Sequence, residues 1–409
     1  MILGMTCAHC DPYKTKAHFR FISAFREPRW LVKIGSSRAY LSFLGAFSPV
    51  FLKSMIWSGV FRETDALDDD AQLHNRSLVV VRAAKERGIT IKAIKLFGKF
   101  PTNFFSANAN GKKILFEGIP LLEVGYVQPI DLDDKSALKK ILKDHGLPYA
   151  EGGAFRDAKA ALRYAHELNF PLVVKPRSGS LSKHVTCGVR DEASLKEAVH
   201  VAQIVSRDFV VEEFVKGDVY RITVVNHKML ACCLRESPNV IGDGAHTINE
   251  LMQIKNEDPR RGDAHKKNFT LHKIRLTPRG LSILAAQDFT PESVPPKGKK
   301  VYLHDKVVLA CGADIHDKTD ELHPDNRAMF LKLSRLLKAP IVGIDFICGD
   351  ISRSYRDQKC AIIEANSLPY FDMHHYPTVG KPRDVARHIV DAMLTPPSPS
   401  SPPDLNAKG

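Results

Sequence analysis

The chain has 409 residues, of which 44% are hydrophobic and 26% charged, and 59 Lys and Arg stand against 46 Asp and Glu for a formal net charge of +13. That length and apolar content support two or three domains with full cores, so neither a disulfide framework nor a metal staple is needed for folding. The basic excess is dispersed, without a long Lys/Arg block or an RNA-binding aromatic signature, which suits phosphate and carboxylate ligands and counts against a nucleic-acid binder.

Met1 to His18 lacks the basic start, apolar core and small-residue cleavage site of a signal peptide. Within it TCAHC places Cys7, His9 and Cys10 together, but one C-x-x-C offers too few ligands for structural zinc, and a loosely packed terminus is expected. Tyr40 to Phe61 is the most apolar early stretch; Pro49 and Lys53 interrupt it and exclude a spanning helix. It reads as a buried or partner-facing helix pair, with a peripheral membrane contact as the lesser option. The eight cysteines include the adjacent Cys232 and Cys233 and lie largely in apolar runs, the pattern of buried small hydrophobes in a cytoplasmic protein.

After a segment 1–73 with no assigned role, SLVVVRAAKERGITIKAIKL predicts a short helix ended by Gly88 and then a strand. KILFEGIPLLEVGYV adds strand-like material, so residues 74–130 are expected to form a small α/β lobe. Asp134 to His145 is an amphipathic helix stopped by Gly146 and Pro148, and Ala158 to Leu168 repeats the pattern before Asn169 and Pro171.

PLVVKP at 171–176 reads as a strand ending in Lys175. A buried ammonium is costly without an anion, and the following RSGSLSKHV, with Ser178 and Gly179, offers small residues, backbone donors and a flexible cover for phosphates. The alternative is a lysine that snorkels to solvent. FVVEEFV at 209–215 then delivers Glu212, Glu213, Phe214 and Val215, followed by Gly217, Asp218 and Arg221. An adenine needs a flat apolar slot with backbone hydrogen bonds, and a ribose needs a nearby carboxylate, Asp218 here; two surface acids on an edge strand are the competing reading. Arg221 and Arg235 sit on the strands that follow, where a guanidinium fork reaches phosphate or a carboxylate.

Ile341 to Pro369 runs IVGIDFI, a polar insert, and AIIEANSLP, predicting two buried strands joined by a loop. Asp345 lies in the first, and Glu364 and Asn366, two apart, share a face of the second. Buried carboxylates need a partner, so the three oxygen donors point to a divalent hard cation, Mg²⁺ first; a hairpin with surface acids is the alternative.

In chain order, VVKP, VEEFVKGDVYRITVVN, NVIGDGAHTINEL, DPRRGD, SVPPKGKKVYL, DKTDELHPDN, GIDFI and IIEANSLP resemble the ATP-grasp superfamily, over about Asp134 to Leu394. The similarity is to the ATP-grasp domains of cyanophycin synthetase and of the bifunctional bacterial glutathione synthetase. It implies an α+β fold in which ATP is held between two subdomains, an ATP-grasp domain at 131–394 and a disordered tail at 395–409. By resemblance Lys175 binds the nucleotide phosphates, Glu212 to Val215 form the adenine hinge, Asp218 lies near the ribose, and Asp345, Glu364 and Asn366 hold Mg²⁺ or Mn²⁺. The departures are a loop with one glycine plus Lys183 and His184 where the family is glycine-rich, and EANSLP where EVN is usual. Without a P-loop ligase domain or a large preceding ligase domain in the sequence, a stand-alone member is expected.

The implied reaction is ATP-dependent ligation of a carboxylate and an amine, on an amino acid or short peptide, with Arg235 and Arg221 as catalytic candidates. A nucleotide-binding module without catalysis and a basic nucleic-acid-binding protein are the alternatives. Gly242 to Gly244 is a turn that either shapes the acceptor pocket or only closes a hairpin, and His374 and His375 either order that pocket or are solvated. Small-molecule substrates, no nucleic acid and no stable membrane insertion are expected; a homo-oligomer built on Tyr40 to Phe61 is one option.

Overall fold

A computed structural model describes residues 49–65, 71–177 and 184–394, apart from 125, 127, 131, 133, 134 and 306. Cys7, His9, Cys10, Ser178, Gly179, Lys183, most of Tyr40 to Phe61's first half and the Pro/Ser-rich tail lie outside the described residues. Helix α1 (49–57) opens the lobe and is followed by β1 (Phe61–Asp65), α2 (Asn75–Lys85), β2 (Ile91–Leu96), β3 (Phe100–Ala109) and β4 (Lys112–Glu117). The strands form one antiparallel sheet in the order β1-β2-β3-β4, so its edge strand comes from ahead of residue 74. Leu52 of α1 packs on one face with Ile94 and Leu115, while α2 covers the other through Leu78 and Val81. Gly88 ends the α2 turn at a φ of 70°, a conformation in which a Cβ is strained.

The second unit comprises α3 (Lys135–Asp144), β5 (Gly152–Phe155), α4 (Ala158–Leu168), β6 (Leu172–Pro176), β7 (Thr186–Val189), α5 (Glu192–Gln203) and β8 (Phe209–Glu213). Its sheet runs β5-β8-β6-β7, all antiparallel, which places β8 in the interior. Asp157 caps α4 by accepting from two backbone N–H groups, and Asp191 and Ser194 form a capping box on α5. Leu172, Val174, Phe209 and Val211 pack against those two helices. The strand alternation therefore turns Lys175 and Glu212 to the opposite face.

The third unit begins with β9 (Asp218–Val225) and β10 (Met229–Glu236). An insertion follows, with β11 (Asn239–Ile241), α6 (Ile248–Asn256), β12 (Arg261–Gly262), β13 (Leu271–His272), α7 (Pro278–Ala285) and β14 (Lys300–Tyr302) around its own core of Val240, Leu251, Leu284 and Val301. The chain returns through β15 (Asp314–Asp317), α8 (Pro324–Leu336), β16 (Ile341–Cys348), β17 (Cys360–Asn366) and α9 (Val385–Leu394). The sheet order is β15-β10-β9-β16-β17. One face, with Ile222, Val224, Ile344 and Phe346, is sealed by Phe330 and Leu333 of α8; Phe330 and Phe346 meet edge to face at 5.2 Å.

The other face is divided along the strands. Val225, Ala231 and Ile341 at one end join the core of α2 and α9, and Ile347 and Ala361 at the other pack on Ala150 and Val215. Between these apolar ends lies a polar band. Among the described residues Cys232, Cys233, Cys311, Cys348 and Cys360 are buried and Cys187 is exposed. No helix among the described residues is long and apolar enough to cross a membrane.

Candidate active site

The polar band is set by strand register. Arg221 of β9, Asp345 of β16 and Glu364 of β17 stand directly opposite one another, and Thr223, Gly343 and Asn366 form the next row. A β-bulge follows the Asp345–Glu364 pair, the kind of irregularity that re-aims side chains beside a site. Arg235 reaches in from β10, two residues past Cys233, the cross-strand partner of Arg221. Arg221 Nε donates to Asp345 Oδ1, and Arg235 Nη2 donates to Asp345 Oδ2 at 2.9 Å. Burial raises the Asp345 pKa, but the two guanidiniums outweigh it and hold the carboxyl below its ordinary value.

Glu364 is different. Burial and the neighbouring Asp345 charge push its pKa up, against the attraction of Lys135, Arg221 and Lys175. Lys175 belongs to the second unit, which meets the third where Tyr149 bridges to Ile362 of β17 and Ala150 packs on Ala361. There Lys175 Nζ donates to Glu212 Oε1, and Lys139 Nζ of α3 donates to Glu212 Oε2 at 2.9 Å. Glu212 is 4% exposed; burial raises its pKa, yet the two ammoniums hold it below the usual carboxylate range. Neither an edge-strand acid nor a snorkelling lysine describes this pair.

The segment from Phe214 to Gly217 carries the chain between the sheets. The Phe214 amide donates to Pro171 O at 3.1 Å, and Val215 is buried with Ala150 and Ala361. Gly217 lies against β16: a Cβ there would fall 2.5 Å from Cys348 O, so the crossing needs glycine. Asp218 begins β9 at an exposed position, its pKa raised by partial burial and by Glu236. Glu213 turns away from the cluster, accepting from Glu151 N at 3.2 Å and pairing with Lys359 at 2.6 Å.

Lys175, Glu212, Arg221, Arg235, Asp345, Glu364 and Asn366 thus converge, while Glu213 does not. Two expectations change. His374 and His375 are not solvated: His374 is 2% exposed, its Nε2 lies 2.9 Å from Thr223 Oγ1, and burial with Arg221 nearby depresses its pKa to about 3. His375 Nε2 accepts from the Ala386 amide of α9 at 3.1 Å, and burial takes its pKa to about 4. Gly242 to Gly244 follow β11 and pack on the Pro295–Lys299 backbone that leads into its partner β14, within the insertion.

Sequence reasoning missed Lys139, because a lysine on the polar face of an amphipathic helix reads as solvated. It also missed the buried network that ties the insertion to β15, in which Asp314 accepts from Arg261, from Lys255 at 2.5 Å and from Asn239 at 3.1 Å. The DPRRGD motif was the available signal. No group of three His, Cys, Asp or Glu able to hold a metal occurs among the described residues. Asp345, Glu364 and Asn366 supply only oxygen donors, two carboxylates and an amide. They fit a hard cation such as Mg²⁺ that completes its shell with phosphate and water.

The two α+β units, with their polar faces turned on a shared cluster, have the ATP-grasp fold. Residues of this chain are 36% identical over 281 residues to cyanophycin synthetase of Crocosphaera subtropica, covering 68% of this chain and 32% of that protein. Over 270 residues they are 31% identical to the bifunctional glutathione biosynthesis protein GshAB of Streptococcus agalactiae, covering 65% of this chain and 36% of that one. The chain therefore spans about a third of the length of the curated relatives it matches. The solved bifunctional glutathione synthetase from Pasteurella multocida shares the fold, with a TM-score of 0.62 and 24% identity over 79% of this chain and 44% of that chain. No protein-family model matches.

Proposed function

We propose that this chain is an ATP-dependent carboxylate–amine ligase that forms an amide or peptide bond on an amino acid or short peptide, with residues 131–394 as its ATP-grasp domain. The observation that carries the reading is the approach of the Lys175–Lys139–Glu212 set of the second unit to the Arg221–Arg235–Asp345–Glu364 set of the third. Four cations, Lys139, Lys175, Arg221 and Arg235, stand there against three carboxylates, an excess that suits a polyphosphate. The relative named as a synthetase, cyanophycin synthetase, supports the same class.

In this reading an oxygen of the donor carboxylate attacks the γ-phosphorus of ATP, the bond to the bridging oxygen breaks, and ADP leaves an acyl phosphate. The amine nitrogen then attacks the acyl carbon, phosphate departs, and the amine proton passes to solvent. Such transfers need positioning and charge neutralisation more than covalent help. Lys175 and Lys139, held by their common counter-ion Glu212, face the phosphates. The 214–217 crossing carries the adenine side and Asp218 the ribose side. Arg235, and Arg221 behind it, stabilise the transferring phosphoryl group. Mg²⁺, or Mn²⁺, would be held by Asp345, Glu364 and Asn366 and would supply Lewis-acid neutralisation of the phosphate oxygens.

The test is phosphate release from ATP and Mg²⁺ with pools of amino acids and short acidic peptides, beside Glu364→Ala. Stimulation by one donor–acceptor pair, abolished in the variant, is the expected result. Nucleotide binding without stimulated turnover by any pool would turn the reading toward a binding module.

A further inference from the structure

The N-terminal lobe touches the candidate site through the first turn of α2. Asn75, Arg76 and Ser77 are all at most 5% exposed, unusual for polar residues at a helix start. Arg76 Nη1 donates to Leu368 O at 2.9 Å, and its guanidinium lies over the Tyr370 ring, 4.6 Å from the centroid. Asn75 Nδ2 donates to Thr270 Oγ1 at 2.7 Å, and that hydroxyl donates in turn to Asp372. One helical turn thus grips the segment 367–372, which leaves β17 directly after Asn366.

That segment folds back over the sheet. A Cβ at Gly343 would fall 2.6 Å from Pro369 Cβ and 3.1 Å from Arg221 Nη1. Gly343 stands in register opposite Asn366, one row from Asp345 and Glu364. A contiguous path of contacts therefore runs from Arg76 to Leu368, through Pro369 to Gly343, and on to Arg221 with its partner Asp345. Burial lowers the Arg76 pKa, and Tyr370, Asp372 and Glu117 nearby only partly offset the desolvation of its charge. An apolar side chain would serve stability as well.

We propose that Arg76 is a positioning residue for the reaction: by fixing the 367–372 segment over Gly343 it sets the placement of Asn366 and Arg221, so the N-terminal lobe completes the active site. The inference rests on the ligase reading. The experiment measures ADP affinity by calorimetry with MgCl₂ and with EDTA, together with melting temperature and phosphate-release kinetics, in wild type, Arg76→Ala and Arg76→Lys.

Arg76→Ala is expected to lose about 10- to 100-fold of the Mg²⁺-dependent gain in ADP affinity, the range seen for residues that orient metal ligands, with affinity in EDTA unchanged. Its kcat falls while KM for ATP at saturating Mg²⁺ holds. Arg76→Lys recovers melting temperature but not the Mg²⁺ dependence, because an ammonium lacks the planar fork that both stacks and donates. Wild-type Mg²⁺ dependence and kcat in Arg76→Ala, even with a lowered melting temperature, would overturn the proposal. If Arg76→Ala does not fold, Tyr370→Leu, at a residue 43% exposed, removes only the stacking face; it is expected to show the same loss in smaller measure, and an unchanged Mg²⁺ dependence sinks the idea. A wild-type chain that binds ADP equally with and without Mg²⁺ would remove the ligase reading and this proposal together, whereas retention in the variant alone removes only the role of Arg76.

Discussion

Glu212, buried, and Glu364, partly buried, are acids on the sheets of two units, and their surroundings drive them in opposite directions. Glu212 sits between Lys175 and Lys139, which hold it ionised and are themselves held in place by it. Glu364 faces Asp345, whose own charge is already matched by two arginines, so burial and like charge push the Glu364 proton affinity up. The first arrangement aims cations; the second concentrates oxygen donors that favour a cation from outside. Strand register sets much of the contrast, and Lys139 of α3 adds to it. Glu212 is diagonal to a lysine on β6, whereas Glu364 is level with an aspartate on β16.

The most damaging change to either side is at Asp345. Asp345→Ala leaves two buried guanidiniums unmatched and is expected to cost about 3 to 5 kcal/mol in urea unfolding, with phosphate release lost; stability close to wild type would mean that the arginines find other partners. Arg235→Ala spares the fold more and is expected to lower kcat by about 10²- to 10³-fold with a smaller change in KM for ATP. An effect on KM alone would assign Arg235 to ground-state binding.

Glu212→Gln should weaken ATP binding and lower stability by about 1 to 3 kcal/mol by stripping two lysines of their counter-ion. Because the folded pKa of Glu212 lies below its ordinary 4.5, the wild-type advantage is full above pH 4.5 and disappears as pH falls through the folded value. Glu364→Gln reverses the sign. A folded pKa raised above 4.5 means that wild-type stability falls as pH rises through that range, so without metal the variant melts higher at pH 7 and equally below pH 4. A lower melting temperature at pH 7 would erase the contrast between the two acids.

The effect furthest from the chemistry concerns acid lability beside the site. His374 and His375 titrate near 3 and 4 in the fold against an ordinary 6.5. Both depressed values favour stability above pH 6.5, and that stability is lost as pH falls toward 4, on the order of 1 kcal/mol per unit for each. His374→Gln is expected to flatten the slope of unfolding free energy against pH between 6 and 4 by one proton; an unchanged slope would place His374 in water.

The local chemistry was legible from the chain. Ala158–Leu168 is bounded by Asp157 and by Asn169 at a φ of 64°, residues that act within one turn, and short β-branched apolar runs mark β16 and β17 as buried strands. Glu364 and Asn366 share a face because side chains alternate along any strand, whatever surrounds it. Register and distant contacts are another matter. Arg221 and Arg235 were expected at phosphate, but that both first meet Asp345 depends on which strands pair and on which residue faces which. Lys139, Arg76 and Thr270 carried no signal of their own, and the two histidines were read either way, since a polar residue on a helix or loop is solvated unless another unit covers it. The sequence determined the elements and the donor types, because capping, turns and alternation act over a few residues. Only the tertiary structure decided which buried charges are matched and which are left for a ligand, because that balance is struck between residues 124 positions apart, as between Arg221 and Asp345.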